Sequence, residues 1–307
     1  GYAAMEGAHR NITSVTAVGY GAGSQLPYGS YGGFQTVIGL SAGRSAGESS
    51  VCVGYYAGYR IGSSTTAIGA NALSRGIGSR NTAVGDSALR GNPYTQTQET
   101  DNSTGFRNTA VGYQAGLAYN SASYNTFVGN AAGYRIDNGE YTVAIGYNAG
   151  YHATGSSNIF VGSSAGYGNS SAPYASGQFN TVIGTNALAN FTTGEENVVV
   201  GFDAGNDITT GTDNTMMGFR AGDNLTTGIG NTYIGSYVDA SANSVSDEIV
   251  LKAGVDVLAG GGTETIRIGV DSDYIVNDFG ENATWTHSSD RRIKKNIEDN
   301  DLGLEFI

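Results

Sequence analysis

Residues 108–116 read NTAVGYQAG, and the same order of residue types recurs along the chain. NTAVGDSAL (81–89), NTFVGNAAG (125–133) and NTVIGTNAL (180–188) are close variants of it. Alignment on the central glycine gives thirteen copies, and nine of the twelve spacings between them are 15, 16 or 17 residues. A repeat of this length predicts stacked coils that each pack on their neighbours. The central glycines are Gly19, Gly39, Gly54, Gly69, Gly85, Gly112, Gly129, Gly146, Gly162, Gly184, Gly201, Gly218 and Gly235.

The columns of this repeat predict a β-strand in every copy. Val or Ile precedes the central glycine in twelve copies and Met217 in the other, and Thr, Val or Ile stands three residues before it. Such a β-branched pair is typical of a strand, with both side chains on one face. The residue between them is mostly apolar, which predicts a strand buried on both faces, by its own coil and by a second partner. We expect an all-β fold, a repetitive β-solenoid or β-roll with coils of 15 to 17 residues.

Glycine and asparagine occupy the positions where such a coil turns. The central glycine, with a second Gly or a Leu four residues later, predicts corners that need a positive φ or a close backbone approach. Asn precedes the strand in eight copies, among them Asn81 and Asn108. Stacked asparagines are expected to hydrogen-bond along the solenoid axis.

One coil buries too little apolar surface to offset the conformational entropy of ordering about sixteen residues. We therefore expect the second strand face to meet further copies of the chain. Three copies is the usual number in fibrous β-proteins, so the sequence predicts a homotrimeric fibre in which two further copies are the first partners.

Three insertions interrupt the repeat, and they contain all three prolines. Each proline is followed by tyrosine, as in Pro93-Tyr94. Insertions cannot enter a stacked core, so we predict loops near 24–34, 90–106 and 168–179. Tyrosines on these loops suit contact with a glycan or a receptor protein, whereas the alternative is that each Pro-Tyr pair clamps its loop against the shaft. The receptor-binding candidates are Tyr28, Tyr31, Tyr94 and Tyr174.

Composition argues against several other classes of function. The sequence contains no run of 18 apolar residues, so we expect no membrane insertion. A net charge of −12 disfavours nucleic acid as a partner. The single cysteine forms no intrachain disulfide framework, and the three histidines lie far apart, so we expect no metal site and no cofactor. Fifteen of the 27 acidic residues fall within 190–282. We interpret them as a solvated acidic face, with paired glycosidase carboxylates as the alternative.

The repeat ends at Gly235, which places a thirteen-coil shaft at 1–235. Longer apolar stretches follow, and they predict a β-rich cap or neck over 236–288. The last residues, 285–307, read WTHSSDRRIKKNIEDNDLGLEFI and predict a short helical start after Ser289.

These repeats resemble those of bacteriophage tail-fibre shafts and, more distantly, the NSVAIG coils of YadA-type trimeric adhesin heads, which are left-handed parallel β-rolls. The resemblance implies a structural and host-attachment protein of a phage tail fibre or spike. Its expected partners are a host surface glycan or receptor protein and other tail or baseplate proteins. Its expected location is the virion tail, after assembly in the host cytoplasm. A cellular trimeric adhesin or extracellular fibre and a fibre-borne glycan depolymerase are the alternatives.

Residues 289–294, SDRRIK, resemble the Ser-Asp-x-Arg-x-Lys start of the endosialidase-type C-terminal intramolecular chaperone domain. Trp285 and the strand before it also match the approach to that junction. The resemblance implies that 289–307 begin a chaperone that trimerises the shaft and is released by cleavage between Ser289 and Asp290. Ser289 would be the nucleophile and Lys294 the base. The expected enzymatic activity is at most this single-turnover autoproteolysis.

Overall fold

A computed structural model describes residue 4 and residues 14–25, 34–91, 103–171, 173–270, 273–280 and 282–288, the last range by its backbone only. Within these residues the chain is an all-β parallel β-solenoid of about 14 turns without a helix. The predicted fold class is therefore confirmed at the level of the solenoid. The predicted helical start over 289–307 lies outside the described residues.

Each of the thirteen repeat copies contributes one short strand that ends immediately before its central glycine. These strands are β1 Val15–Val18, β2 Gln35–Ile38, β3 Val51–Val53, β4 Thr66–Ile68, β5 Thr82–Val84, β6 Thr109–Val111, β7 Thr126–Val128, β8 Val143–Ile145, β9 Ile159–Val161, β10 Thr181–Ile183, β11 Val198–Val200, β12 Thr215–Met217 and β13 Thr232–Ile234. The regular column pattern of the sequence thus corresponds to one strand per coil.

Neighbouring strands pair in parallel and in register from β1 to β13, so equivalent residues of successive copies lie side by side. Val111, for example, is opposite Val128, and Val128 is opposite Ile145. Because successive copies of one chain pair directly, each chain forms its own solenoid. At about 4.8 Å per strand, the twelve steps from the first to the thirteenth copy span roughly 58 Å.

The interior of the coil is one narrow apolar column. The middle residue of each strand turns inward and is fully buried from Val37 in β2 to Tyr233 in β13. The alanines three residues after the central glycine are also fully buried, for example Ala115 and Ala149. Each strand contributes one inward side chain, and the rest of the coil completes the packing with alanines and with larger residues such as Phe191 and Ile208, which are fully buried.

The β-branched pair faces outward from the coil, and burial of this second face by a further partner stays a prediction. In the single chain, Val111 and Ile145 are 38% and 39% exposed. The physical reason is the alternation of a strand: once the middle residue points inward, its two neighbours must point outward.

The glycine corners adopt the predicted conformations. All thirteen central glycines have φ between 129° and 144°, a region that side chains other than glycine's rarely allow. A Cβ atom on Gly162 would lie 2.6 Å from the carbonyl oxygen of Gly184 in the next coil. Four residues later the chain is left-handed, at Gly166 (φ 54°) and even at Leu188 (φ 48°). Leu188 is fully buried, so packing of its side chain accompanies this unusual backbone.

The predicted asparagine stack is a buried ladder parallel to the solenoid axis. Asn197 illustrates its geometry: its Oδ1 accepts hydrogen bonds from the backbone N (3.1 Å) and Nδ2 (3.0 Å) of Asn214, and its Nδ2 donates to the carbonyl oxygen of Gly211 at 2.9 Å. Its own N and Nδ2 donate to Asn180 Oδ1. The eight asparagines, each at most 2% exposed, are Asn81, Asn108, Asn125, Asn158, Asn180, Asn197, Asn214 and Asn231.

Six further strands follow the thirteenth copy in the described residues. They are β14 Val238–Asp239, β15 Ile249–Ala253, β16 Leu258–Ala259, β17 Thr265–Val270, β18 Asp273–Asp278 and β19 Asn282–Ser288. β15 pairs in parallel with β13, and β17 with β15. β18 and β19 then reverse direction and pair antiparallel. β14 and β16 form a separate two-stranded parallel sheet.

Glu248 occupies the position of the ladder asparagine in the last turn. It is fully buried. Its backbone N donates to Asn231 Oδ1 at 3.0 Å, while its carboxylate accepts from the Tyr233 hydroxyl (2.8 Å) and the backbone N of Gly262 (2.7 Å). The ladder therefore ends on a carboxylate whose oxygens bond to a tyrosine of the preceding coil and to a loop rather than to a further asparagine. That the region 236–288 functions as a cap stays a prediction.

Candidate functional site

Most of the predicted site residues lie outside the described residues. This holds for Tyr28, Tyr31 and Tyr94 on the first two loops, and for the cleavage-site residues Ser289, Asp290 and Lys294. Their roles stay predictions. Tyr174, on the third loop, is the predicted site residue whose surroundings the structure describes.

Tyr174 packs against the shaft in contact with two side chains from earlier coils. The guanidinium carbon of Arg135 lies 4.1 Å from the centroid of its ring. The imidazole of His152 stacks on the ring at a centroid distance of 5.5 Å and an angle of 9°. Tyr174 is half-buried by these contacts. This geometry favours the interpretation that Tyr174 clamps the loop, because its ring already contacts two side chains of the shaft.

A stack of tyrosines borders this clamp. Tyr134 and Tyr151 are nearly parallel with centroids 4.5 Å apart, and Tyr167 follows at 5.3 Å from Tyr151. His152 contacts Tyr151 and Tyr167 edge-on. It is only 8% exposed. Burial, and then the charge of Arg135, lower the pKa of His152 below its ordinary value. The clamp therefore contains a neutral imidazole next to a guanidinium group at neutral pH.

The second and third insertions leave the coil at the same corner, which we call the loop corner and define as the seventh and eighth residues after a central glycine. Ser103, at the end of the second insertion, lies beside the loop corner of the preceding coil, where its carbonyl oxygen accepts a hydrogen bond from Ile77 N at 2.9 Å. Ala175, in the third insertion, lies at the equivalent place, where its carbonyl oxygen accepts a hydrogen bond from Thr154 N at 2.6 Å. Both places lie about half a coil away from the strand. The points where these two insertions join the coil therefore lie on a different side of the solenoid from the strands.

The outward side of the strands is a second candidate surface. We call it the strand face and define it as the residues three before, one before and one after each central glycine. Its exposed members include Val18 (54%), Ile183 (42%) and Met217 (46%), with Tyr113 and Tyr147 more than half exposed in the last of the three columns. Sequence reasoning identified the two β-branched columns and expected a second partner on their face, but it did not identify the column that follows the glycine. The aromatic residues that follow several central glycines were the available signal.

An acidic corner lies near the end of the repeats. Asp223 forms an ion pair with Arg220, with 3.0 Å between Oδ2 and Nε. Burial, and then the charge of Asp239, raise the pKa of Asp223, while Arg220 lowers it. These groups border a cavity of about 270 Å³ that is lined by Asn186, Asp203, Asn206, Asp207, Arg220 and Asp223. The lining residues are half-buried or exposed. This placement agrees with the interpretation of a solvated acidic face.

Other chemistry is sparse in the described part of the chain. There, no group of three or more His, Cys, Asp or Glu side chains is arranged to hold a metal ion. Nor do these residues include a helix with the length and apolarity needed to cross a bilayer. Cys52 is fully buried in the inward column, and burial raises the pKa of its thiol to about 12. A thiol with this pKa is a packing group rather than a nucleophile.

No known protein family matches the chain, and no curated protein or solved structure is significantly similar to it.

Proposed function

We propose that this chain is a structural and host-attachment protein, the shaft of a homotrimeric phage tail fibre or spike that a self-cleaving C-terminal chaperone matures. The observation that carries the proposal is the separation of two surfaces on one solenoid. The second and third insertions join the coil at the loop corner, while a nearly uncharged strand face extends along another side of the shaft. A fibre needs both, one surface for assembly and one for contact with the host.

The solenoid suits a load-bearing shaft. Backbone hydrogen bonds join every coil to the next, and the buried ladder from Asn81 to Asn231 adds side-chain bonds in the same direction. Coils that contact only their neighbours form a rod whose length is set by the number of repeats. The resemblance of NTAVGYQAG to the repeats of phage tail-fibre shafts supports this assignment.

The loops supply the proposed attachment surface. Tyr28, Tyr31 and Tyr94 belong to insertions that are free to vary without disturbing the stacked core. A tyrosine offers a flat apolar ring and a hydroxyl, which together suit a sugar or a receptor protein. Tyr174 has the different role of a clamp, because Arg135 and His152 cover its ring.

The SDRRIK segment supports maturation by cleavage. In this proposal the Ser289 hydroxyl attacks the carbonyl carbon of Ser289 itself, and Lys294 accepts the hydroxyl proton. The bond to Asp290 then breaks, Lys294 delivers the proton to the departing amine of Asp290, and water opens the β-lactone left on Ser289 to the free carboxylate. A base must be unprotonated before it can accept the hydroxyl proton. The positive charges of Arg291, Arg292 and Lys295 favour this form of Lys294, because they disfavour a further charge beside them. Release of the chaperone would leave a kinetically trapped fibre.

The full-length gene product tests this function in two steps. First, its subunit mass is compared with that of the variants Ser289→Ala and Lys294→Ala: the proposal expects a shorter wild-type subunit and uncleaved variants. Second, the processed protein is labelled and titrated onto host bacteria, and Tyr94→Ala is expected to weaken binding without changing thermal stability. A wild-type subunit that keeps its full mass would overturn maturation by cleavage. Binding that is absent, or unaffected by changes on all three loops, would overturn attachment.

The acidic corner favours a glycan depolymerase as the second candidate function. Asp223 and Asp239 both have raised pKa values, with burial as the first cause of each. A carboxyl group with a raised pKa beside ionised carboxylates is the usual requirement for glycoside hydrolysis. Release of reducing sugars from host polysaccharide, lost in Asp223→Asn, would establish this activity. No release from host glycans that the processed protein binds would reject it.

A further inference from the structure

The strand face is uncharged over nearly its whole length. Its three columns contain one charged residue in thirteen copies, Asp86, in a chain whose net charge is −12. Thr, Val and Ile fill the two columns that flank the buried middle residue, apart from Met217. The third column contains Tyr20, Tyr55, Tyr113, Tyr147, Phe202 and Phe219, all exposed by 40% or more. Aromatic enrichment with depletion of charge is the composition of the core of a protein interface.

The size of this face also matches an interface. It extends over twelve steps of about 4.8 Å and over about four residues of about 3.3 Å, which is roughly 750 Å². The largest apolar patch on a typical monomer is about 300–600 Å². A stable protein interface covers about 800 Å² on each partner. The apolar residues make up only part of the strand face, because nine of the thirteen residues in its first column are threonine. The area of the whole face is close to the area that stable association requires.

The face continues beyond the thirteenth copy. Ile234 in β13, Leu251 in β15 and Ile268 in β17 are aligned in register. With Lys252, Ala253, Gly269 and Val270 they line a mainly apolar groove of about 490 Å³. The Lys252 Nζ donates a hydrogen bond to the carbonyl oxygen of Ser236. The same outward column is thus apolar for two more turns, although the repeat in the sequence has ended. This continuity indicates that the outward face keeps one role along the whole solenoid.

We propose that the strand face is covered by the strand faces of further copies of this chain, around a common axis parallel to the shafts. This inference rests on the proposed homotrimer and names the surface that holds it together. A second copy fits because it presents apolar ridges at the same interval of about 4.8 Å along the same length. The loop corner, half a coil away, then points outward from the axis, where the loops are accessible to a receptor.

Two substitutions of the same type on opposite sides test this inference. Ile145→Glu places a charge near the middle of the strand face, and Ile77→Glu places one at the loop corner, where the isoleucine is 44% exposed against 39% for Ile145. In the processed full-length protein, light scattering is expected to give a trimer for wild type and Ile77→Glu. Ile145→Glu should weaken association by at least about 100-fold, because like charges would meet at the axis.

Cross-linking gives a second test that does not depend on the stability of Ile145→Glu. Val128 lies in the seventh of the thirteen copies, so Val128→Cys would bring cysteines of different copies together. Native Cys52 is buried with a pKa of about 12 and gives little background. Mild oxidation should yield disulfide-linked chains from Val128→Cys and none from Ile77→Cys. A trimer that survives Ile145→Glu and forms no Val128→Cys disulfide would overturn this inference alone, whereas a monomeric wild type would overturn the proposed homotrimer as well.

Discussion

Removal of one rung of the asparagine ladder gives the most quantitative prediction. In Asn197→Ala, the buried backbone N–H of Asn214 loses its acceptor at 3.1 Å and the carbonyl oxygen of Gly211 loses its donor at 2.9 Å. Each buried polar group left without a partner costs about 1–3 kcal/mol. We therefore expect the free energy of unfolding to fall by about 2–4 kcal/mol, with partial compensation if water enters the space.

The matched control is Asn190→Ala. Its Nδ2 donates to Asn206 Oδ1 at 3.0 Å in the same part of the shaft, but this pair is exposed. The expected change is within about 0.5 kcal/mol. Because stacked coils need not unfold in one step, chemical denaturation should be followed by circular dichroism together with hydrogen exchange of the 198–217 amides. Equal stability of Asn197→Ala and Asn190→Ala, with unchanged protection of these amides, would refute the structural role of the ladder.

Three further changes test the corner, the ladder and the clamp. Gly162→Ala should lower the free energy of unfolding by more than about 3 kcal/mol, because it adds both backbone strain and a clash. Gly262→Ala is the control: its φ is 117°, but nothing lies within 4 Å of the added Cβ, so thermal denaturation should show a smaller loss. Similar losses in the two variants would argue against the close approach of coils. The backbone N of Thr142 donates to Asn125 Oδ1 at 2.8 Å, but the threonine side chain interrupts the asparagine series. Thr142→Asn should therefore stabilise the shaft by about 1 kcal/mol, and a lower Tm would contradict this. Because the pKa of His152 is lowered in the folded protein, the unfolded chain binds a proton first as the pH falls, and stability should decrease as the pH falls below 6.5, the ordinary pKa of histidine. His152→Phe should reduce this slope of Tm against pH. An unchanged slope would exclude His152 as its source.

The sequence predicted the strands, glycine corners and asparagine ladder because all three follow from residues at fixed places in the repeat. It did not predict which strand face is inward. Val and Ile suit either face of a strand, and only the space inside a closed coil decides in favour of the middle column of Val37 and Phe127. The left-handed backbone at Leu188 was expected only as a corner, since leucine by itself disfavours φ above zero.

The surroundings of Tyr174 could not be predicted from the sequence near it. Arg135 and His152 belong to earlier coils, and they reach Tyr174 only because the coils stack in register. The proline and tyrosine pairs located the insertions, yet they did not distinguish a receptor contact from a clamp. That distinction depends on which ring faces the neighbouring coils cover.

Electron cryomicroscopy of the processed fibre tests the central claim, that each chain forms its own solenoid and that copies assemble side by side. The account predicts three parallel solenoids whose repeat region is about 58 Å long, with strand faces at the axis and loops outside. A single intertwined rod, with one coil from each chain in turn and a repeat region about three times as long, would contradict it.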